Sequence, residues 1–214
     1  MKKIIVLIFV FFAMALQSLA VDVLPDTVSF IRTNTLGVYQ VSSPITLYSQ
    51  PDVNSEIKTV IKYTKDVLEP VNLVFQDVFI VFKGDKELAL MAVTDETEDW
   101  VEVIYDNKLG LTGWIKKDDP YKFATWVNFY NMYGKKYGLK FLNGTPEQIK
   151  NIHGSPDETS KVITTINYPR NINLSIIRGN WMLVTVLDVD KTPKTGFIRW
   201  RAEDGVKYLF PAIR

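Results

Sequence analysis

Leu47-Tyr48-Ser49-Gln50-Pro51-Asp52-Val53-Asn54-Ser55-Glu56-Ile57-Lys58-Thr59-Val60-Ile61 is written twice in this chain. The second version is Ile152-His153-Gly154-Ser155-Pro156-Asp157-Glu158-Thr159-Ser160-Lys161-Val162-Ile163-Thr164-Thr165-Ile166. Pro51 aligns with Pro156 and Ile61 with Ile166, a constant offset of 105. Proline presets φ, and Asp, Asn and Ser hydrogen-bond their own backbone, so the centre of each copy predicts a turn. The apolar alternation that follows predicts a strand with one buried face.

Working outward, each copy is followed by two more matching pieces in the same order. The first copy leads to Glu98-Asp99-Trp100-Val101-Glu102-Val103, then to Gly113-Trp114-Ile115-Lys116. The second leads to Gly179-Asn180-Trp181-Met182-Leu183-Val184, then to Gly196-Phe197-Ile198-Arg199. Three ordered matches read as an internal duplication, which decides the architecture before any single element does. The copies differ in length. Between Ile61 and Trp100 lie 38 residues, against 14 between Ile166 and Trp181. The first copy therefore carries an insertion at about 62–97.

The ordered pattern resembles bacterial SH3-type domains: an apolar strand, a turn with Pro, an apolar strand, a strand with Trp and alternating Val, then a Gly-aromatic-apolar strand. The resemblance covers most of the chain after residue 36. It implies an all-β fold of two small SH3-like barrels in tandem, over 37–130 and 138–214, joined by a linker at 131–137 and preceded by a leader at 21–36. Phe197 stands where the first copy has Trp114. In such domains ligands lie across a shallow aromatic groove. Carried over by motif position, that implicates Tyr48 and Trp100 in the first half and His153 and Trp181 in the second, with Trp114 of the Gly-Trp strand added. Peptidoglycan, through its peptide stems or its glycan, is the ligand the resemblance implies. Trp100 and Trp181 fall in alternating strands with one face inward, and core is the default for each of the five tryptophans, although so large a ring is often only partly buried.

The insertion reads as β-rich. Val71–Phe75 and Asp77–Phe82 suit strands, and Lys83-Gly84-Asp85-Lys86 reads as a hairpin turn in which Gly supplies a positive φ. This predicts a ribbon whose Phe75, Phe79 and Phe82 either cover a barrel face or pack on the second half. The alternative is an arm that projects to a partner. Tyr121–Phe129 reads as a last strand of the first barrel, and Val28–Ile31 as a strand in the leader. Thr145-Pro146-Glu147-Gln148 suits the start of a helical turn. Arg201–Gly205 is expected to make a 3₁₀ turn on the family's pattern.

The N-terminus is a basic start, Met1-Lys2-Lys3, an apolar run from Ile4 to Leu16, and small residues at Ser18 and Ala20. This predicts a secretory signal peptide over 1–20 with cleavage after Ala20. The run falls short of the roughly 20 residues a spanning helix needs, although an uncleaved anchor is the alternative. An exported chain, periplasmic or secreted, with no membrane span after signal removal, follows from that reading. Loss of Lys2 and Lys3 takes the net charge from +1 to −1. No basic excess then remains for nucleic-acid binding.

The chain has no cysteine and one histidine. Cysteine chemistry is excluded, and a Ser–His–Asp relay or a histidine zinc site would have to use His153 alone. Asp95, Glu96, Glu98 and Asp99 crowd a segment read as the loop Thr94–Asp99. It lacks the spacing of a calcium loop and reads as solvated. No cofactor is expected. The expected function is non-catalytic binding at the bacterial envelope. The second reading is a periplasmic scaffold that captures a protein partner through the hairpin or an exposed strand edge. An envelope hydrolase is the third.

Overall fold

The computed structural model describes residues 20–167 and 171–214. The signal peptide expected over 1–20 falls on residues 1–19, which lie outside the described residues, and on Ala20. The chain is all-β, built from antiparallel sheets and a few helical turns.

In chain order the strands of the first part are β1 (Asp22–Val23), β2 (Gly37–Gln40), β3 (Ile45–Tyr48), β4 (Ile57–Tyr63), β5 (Leu68–Glu69), β6 (Val81–Lys83), β7 (Leu88–Glu96), β8 (Trp100–Asp106), β9 (Leu111–Lys116) and β10 (Phe123–Thr125). Those of the second are β11 (Leu139–Phe141), β12 (Asn151–His153), β13 (Val162–Thr165), β14 (Asn173–Arg178), β15 (Trp181–Leu187), β16 (Pro193–Arg199) and β17 (Leu209–Pro211). The first sheet runs β1-β6-β7-β8-β9-β3-β4-β5, with β2 joining β7 to β10. A second sheet runs β13-β12-β16-β15-β14, and β11 pairs with β17.

The duplication is visible in the hydrogen bonds. In the first turn the Ser55 hydroxyl donates to the carbonyls of Asp52 at 2.8 Å and Gln50 at 3.1 Å, and the Asn54 N–H donates to the Asp52 carboxylate at 2.8 Å. In the second, Ser160 donates to Asp157 at 2.8 Å and Ser155 at 3.1 Å, and the Thr159 N–H donates to Asp157 at 2.8 Å. The turn residues were chosen by the backbone groups they satisfy, so both copies fold alike. Pairing repeats as well. Tyr48 sits opposite Trp114, and His153 opposite Phe197; Trp100 sits opposite Lys116, and Trp181 opposite Arg199.

Gly113 and Gly196 occupy one position in the two copies, where β9 and β16 pass close to the neighbouring strands β3 and β12. A Cβ on Gly113 would meet Leu47 side-chain atoms at 3.1 Å. A Cβ on Gly196 would meet the His153 carbonyl oxygen at 2.5 Å and Ile152 at 2.6 Å. Backbone cannot give as a side chain can. Gly196→Ala is therefore expected to cost about 2–3 kcal/mol and Gly113→Ala about 1 kcal/mol. Urea titration of both variants checks the order; equal losses would contradict it.

The insertion does not project. Val78, Phe79, Ile80, Val81 and Phe82 are all buried. Phe79 and Phe82 stack at 5.0 Å, and Tyr63 meets both rings edge-on. The segment read as its first strand is instead an irregular stretch followed by one helical turn, α1 (Phe75–Val78). The hairpin exists as β6 and β7, but its left-handed residue is Glu87, φ 51°, not Gly84. Gly84 is needed for space: a Cβ there would meet the Lys65 carbonyl oxygen at 2.5 Å. Thr94–Glu96 belong to β7 rather than to a loop, and Glu96 pairs with Lys117 at 2.6 Å.

Four other expectations are corrected. The strand read over Tyr121–Phe129 covers only Phe123–Thr125. Trp126 to Tyr137 is helical, as α2 (Trp126–Phe129), a π turn (Tyr130–Gly134) and α3 (Lys135–Tyr137). Residues 131–137 are thus helix, and Phe129 and Tyr130 are fully buried. Val28–Ile31 forms no strand; the leader pairs through Asp22–Val23 on β6 and through a bridge from Thr27 to Asn143. The helical turn expected from Thr145-Pro146-Glu147-Gln148 forms as the 3₁₀ turn Glu147–Lys150, but Thr145 does not cap it; its hydroxyl donates to the Leu142 carbonyl at 2.6 Å and the Tyr208 carbonyl at 3.0 Å. Arg201–Gly205 closes by a Gly205 N–H bond to the Ala202 carbonyl at 3.1 Å, with Gly205 at φ 89°, rather than as a 3₁₀ helix.

One apolar core takes residues from both halves. Val38, Leu90 and Ala92 pack in it with Ile152, Val184 and Trp200, and the helical segment supplies Trp126, Phe129 and Tyr130. A second core lies wholly within the first half. Among the described residues no helix is long and apolar enough to cross a membrane.

Candidate ligand clefts

Two hollows of about 220 Å³ each lie at matching places in the two halves. The first is walled by Pro44, Thr46, Tyr48, Lys116 and Asp118 among others. The second is walled by Ile149, Asn151, His153, Glu158, Trp181 and Arg199. The offset of 105 carries Pro44, Thr46 and Tyr48 onto Ile149, Asn151 and His153. The aligned Gly-aromatic-apolar pieces carry Lys116 onto Arg199.

Strand alternation builds these walls. In β3, Ile45 and Leu47 point to the core, which leaves Thr46 and Tyr48 half-buried on the other face. Antiparallel register then sets β9 beside them, with Lys116 at its exposed end. At each cleft a pair of rings meets edge to face. Tyr48 and Trp100 have ring centroids 5.5 Å apart at 89°, and His153 and Trp181 5.6 Å apart at 83°. This is the favoured geometry for ring quadrupoles. His153 Nδ1 lies 3.2 Å from the Ser160 carbonyl oxygen, which can only accept, so Nδ1 carries the proton.

The candidate residues fall into two groups. Tyr48, His153 and Trp181 line the clefts, while Trp100 is buried behind Tyr48 and acts as its support. Trp114 shares the face of Tyr48 by register but does not line the cleft. Sequence reasoning missed Thr46, Asn151, Lys116 and Arg199. The signal for the last two was present: each closes its Gly-aromatic-apolar piece with a basic residue.

The charges are tied down unequally. In the first cleft the Tyr39 hydroxyl donates to Asp118 at 2.7 Å, and Lys122 pairs with Asp118 at 2.6 Å. Burial, then the bond to Asp118, pushes the Tyr39 phenol up to about 12. Burial alone would raise the Asp118 carboxyl, but the bonds from Lys122 and Tyr39 hold it below the usual carboxylate range. In the second cleft Arg199 pairs with Glu158 and, at 3.1 Å, with Glu203. Such a surface, with apolar rings, hydroxyl and amide groups and one cation, suits shallow binding of a polar chain molecule. Larger hollows of about 620 and 650 Å³ occur elsewhere, but neither is walled by either aromatic pair. Among the described residues no three acidic or histidine side chains gather as a metal site would require.

No family model matches the chain, and no curated protein matches it.

Proposed function

We propose that the chain is a tandem of two SH3-like barrels that binds the bacterial cell wall, taking peptidoglycan or a cell-wall peptide into its two clefts without catalysis. One observation carries this reading: a hollow at the same place, with an edge-to-face pair of rings at its wall, occurs in both halves. Duplication of a fold alone would preserve core residues. Here Tyr48 and Trp181, half-buried on the cleft walls, also meet a buried partner ring, Trp100 or His153, in the same geometry, as a repeated ligand site would require. The secretory signal expected over 1–20 supports this reading, because it would direct the chain to the envelope, where that ligand is found. Two weak sites on one chain gain from linkage, so a polymeric ligand is held better than its monomer.

Fluorescence titration tests the reading. Soluble wall fragments are expected to change the emission of Trp181 and Trp100, and the change is expected to vanish in Tyr48→Ala/Trp181→Ala. An unchanged spectrum at millimolar fragment would count against it. The second reading, strand addition by a protein partner, finds support in Ile57 and Val60 on β4 and Val162 and Ile163 on β13, which leave apolar side chains exposed. Of the insertion's apolar residues, Phe79 and Phe82 are buried, whereas Val71 and Val74 are exposed.

A further inference from the structure

We infer that the first cleft is a carboxylate-binding site and that the second is closed to carboxylate ligands by the chain's own Glu158. This rests on the reading of the two clefts as ligand sites. The clefts carry a cation at one shared position, Lys116 and Arg199, but the surroundings of the two cations differ. Arg199 gives one guanidinium nitrogen to Glu158 and another to Glu203 at 3.1 Å, and its Nε donates to the Arg201 carbonyl at 3.3 Å. Its side chain is only 19% exposed. Lys116 is exposed and has no ion-pair partner among the described residues.

The cause is in the sequence. Val53 stands where the second copy has Glu158, and Pro120 where it has Glu203. Asp118, which also lines the first cleft, is committed to Lys122 and Tyr39. The first half therefore turns an unpaired ammonium to an open cleft. The second half shows what fills that place: a carboxylate carried on the tip of the repeated turn. A short peptide ending in a free carboxylate fits the first cleft, with its terminus on Lys116, a backbone group within reach of Thr46 and a small apolar side chain against Tyr48 and Pro44. Phosphate lacks the chain that the rings would hold. Glu158 then acts as a built-in occupant of the second cleft.

The test is a chemical-shift titration of ¹⁵N-labelled chain from Val21 onward, which keeps every described strand. The probes are N-acetyl-D-alanyl-D-alanine and its C-terminal amide. The acid is expected to move the Thr46, Tyr48 and Lys116 amides and to leave Asn151, His153 and Arg199 in place. The amide probe, and Lys116→Gln with the acid, are expected to bind about fivefold more weakly, as the loss of one exposed ion pair gives. In Glu158→Val/Glu203→Gln the second cleft is expected to respond to the acid. Equal affinity for acid and amide, no response at the first cleft, or a second cleft still silent in the double variant would overturn the proposal. Retention on whole cell wall with no shift from either peptide would sink this inference alone. Carboxylate-dependent shifts without retention would instead sink the wall-binding reading.

Discussion

Trp200→Ala is expected to destabilise the chain by about 3–5 kcal/mol, the usual loss for a large aromatic residue cut from a packed core. Trp200 is fully buried, and its ring lies 4.7 Å from that of Tyr130. Its indole N–H donates to the Gly179 carbonyl at 3.0 Å, so truncation also leaves an acceptor unpaired. The residue belongs to the second half, yet Tyr130 belongs to the helical segment that follows β10. Tyr130 in turn donates to the Leu209 carbonyl at 2.5 Å. Because this core holds side chains from both halves, its loss is expected to lower the midpoint of a single transition. Urea unfolding followed by far-UV circular dichroism and by tryptophan emission checks this. Coincident curves, shifted together, are the expected result. Two separate transitions, with only one shifted by Trp200→Ala, would show that the halves fold independently.

Lys207→Met is expected to stabilise the chain near neutral pH. Lys207 is 2% exposed and lies in the same region, and among the described residues no carboxylate pairs with it. Its ammonium sits 4.4 Å from the Trp126 ring centre and donates to the Gly205 carbonyl at 3.3 Å. Burial first, then the nearby Arg201 charge, pushes its pKa down to about 7. The indole face and the carbonyl act the other way, favouring the charged form. The unfolded chain keeps an ordinary lysine near 10.5. Between these two values the unfolded state binds more protons, so stability rises with pH. The contribution is complete above the unfolded value and is lost as pH falls through about 7. From pH 7 to pH 9 the gain is about 2 kcal/mol. Higher pH is excluded from the comparison, because the Tyr39 and Tyr63 phenols, raised to about 12 by burial, make stability fall once unfolded tyrosine ionises. In Lys207→Met the rise between pH 7 and pH 9 is expected to vanish, with a higher Tm at pH 7. A variant that melts lower and keeps the slope would show that the ring and carbonyl contacts outweigh desolvation.

The parts of the fold written in turn chemistry were legible. Pro-Asp followed by Ser specifies its own hydrogen bonds, and these close alike at Ser55 and Ser160. Pairing of Tyr48 with Trp100 and of His153 with Trp181 was reachable from the same repeat. Where tertiary packing decides, the sequence misled. Trp126-Val127-Asn128-Phe129-Tyr130 has the β-branched and aromatic composition of a strand. The Thr125 hydroxyl accepts the Asn128 N–H at 3.3 Å, and burial of Trp126, Phe129, Tyr130 and Gly134 on one side makes it helical. The same residues carry the i, i+3, i+4 spacing of a buried helix face. The leader strand could not be read from the sequence, because Asp22–Val23 is extended only by its pairing with Phe82 and Lys83. Composition marked Phe79 and Phe82 as apolar without saying which surface would bury them. The cleft cations went unread because a single basic residue at a strand end is ordinary in isolation; only its recurrence at Lys116 and Arg199 gives it meaning.

The measurement closest to the central claim is retention of the chain from Val21 onward on purified insoluble peptidoglycan, beside Tyr48→Ala/Trp181→Ala. Both substituted residues are half-buried, so the variant is expected to fold, and its circular dichroism and Tm verify that. The expected result is retention of the native chain at moderate salt and its loss in the folded variant. Equal retention of the two, or no retention of the native chain at any salt, would contradict binding of the wall through the twin clefts.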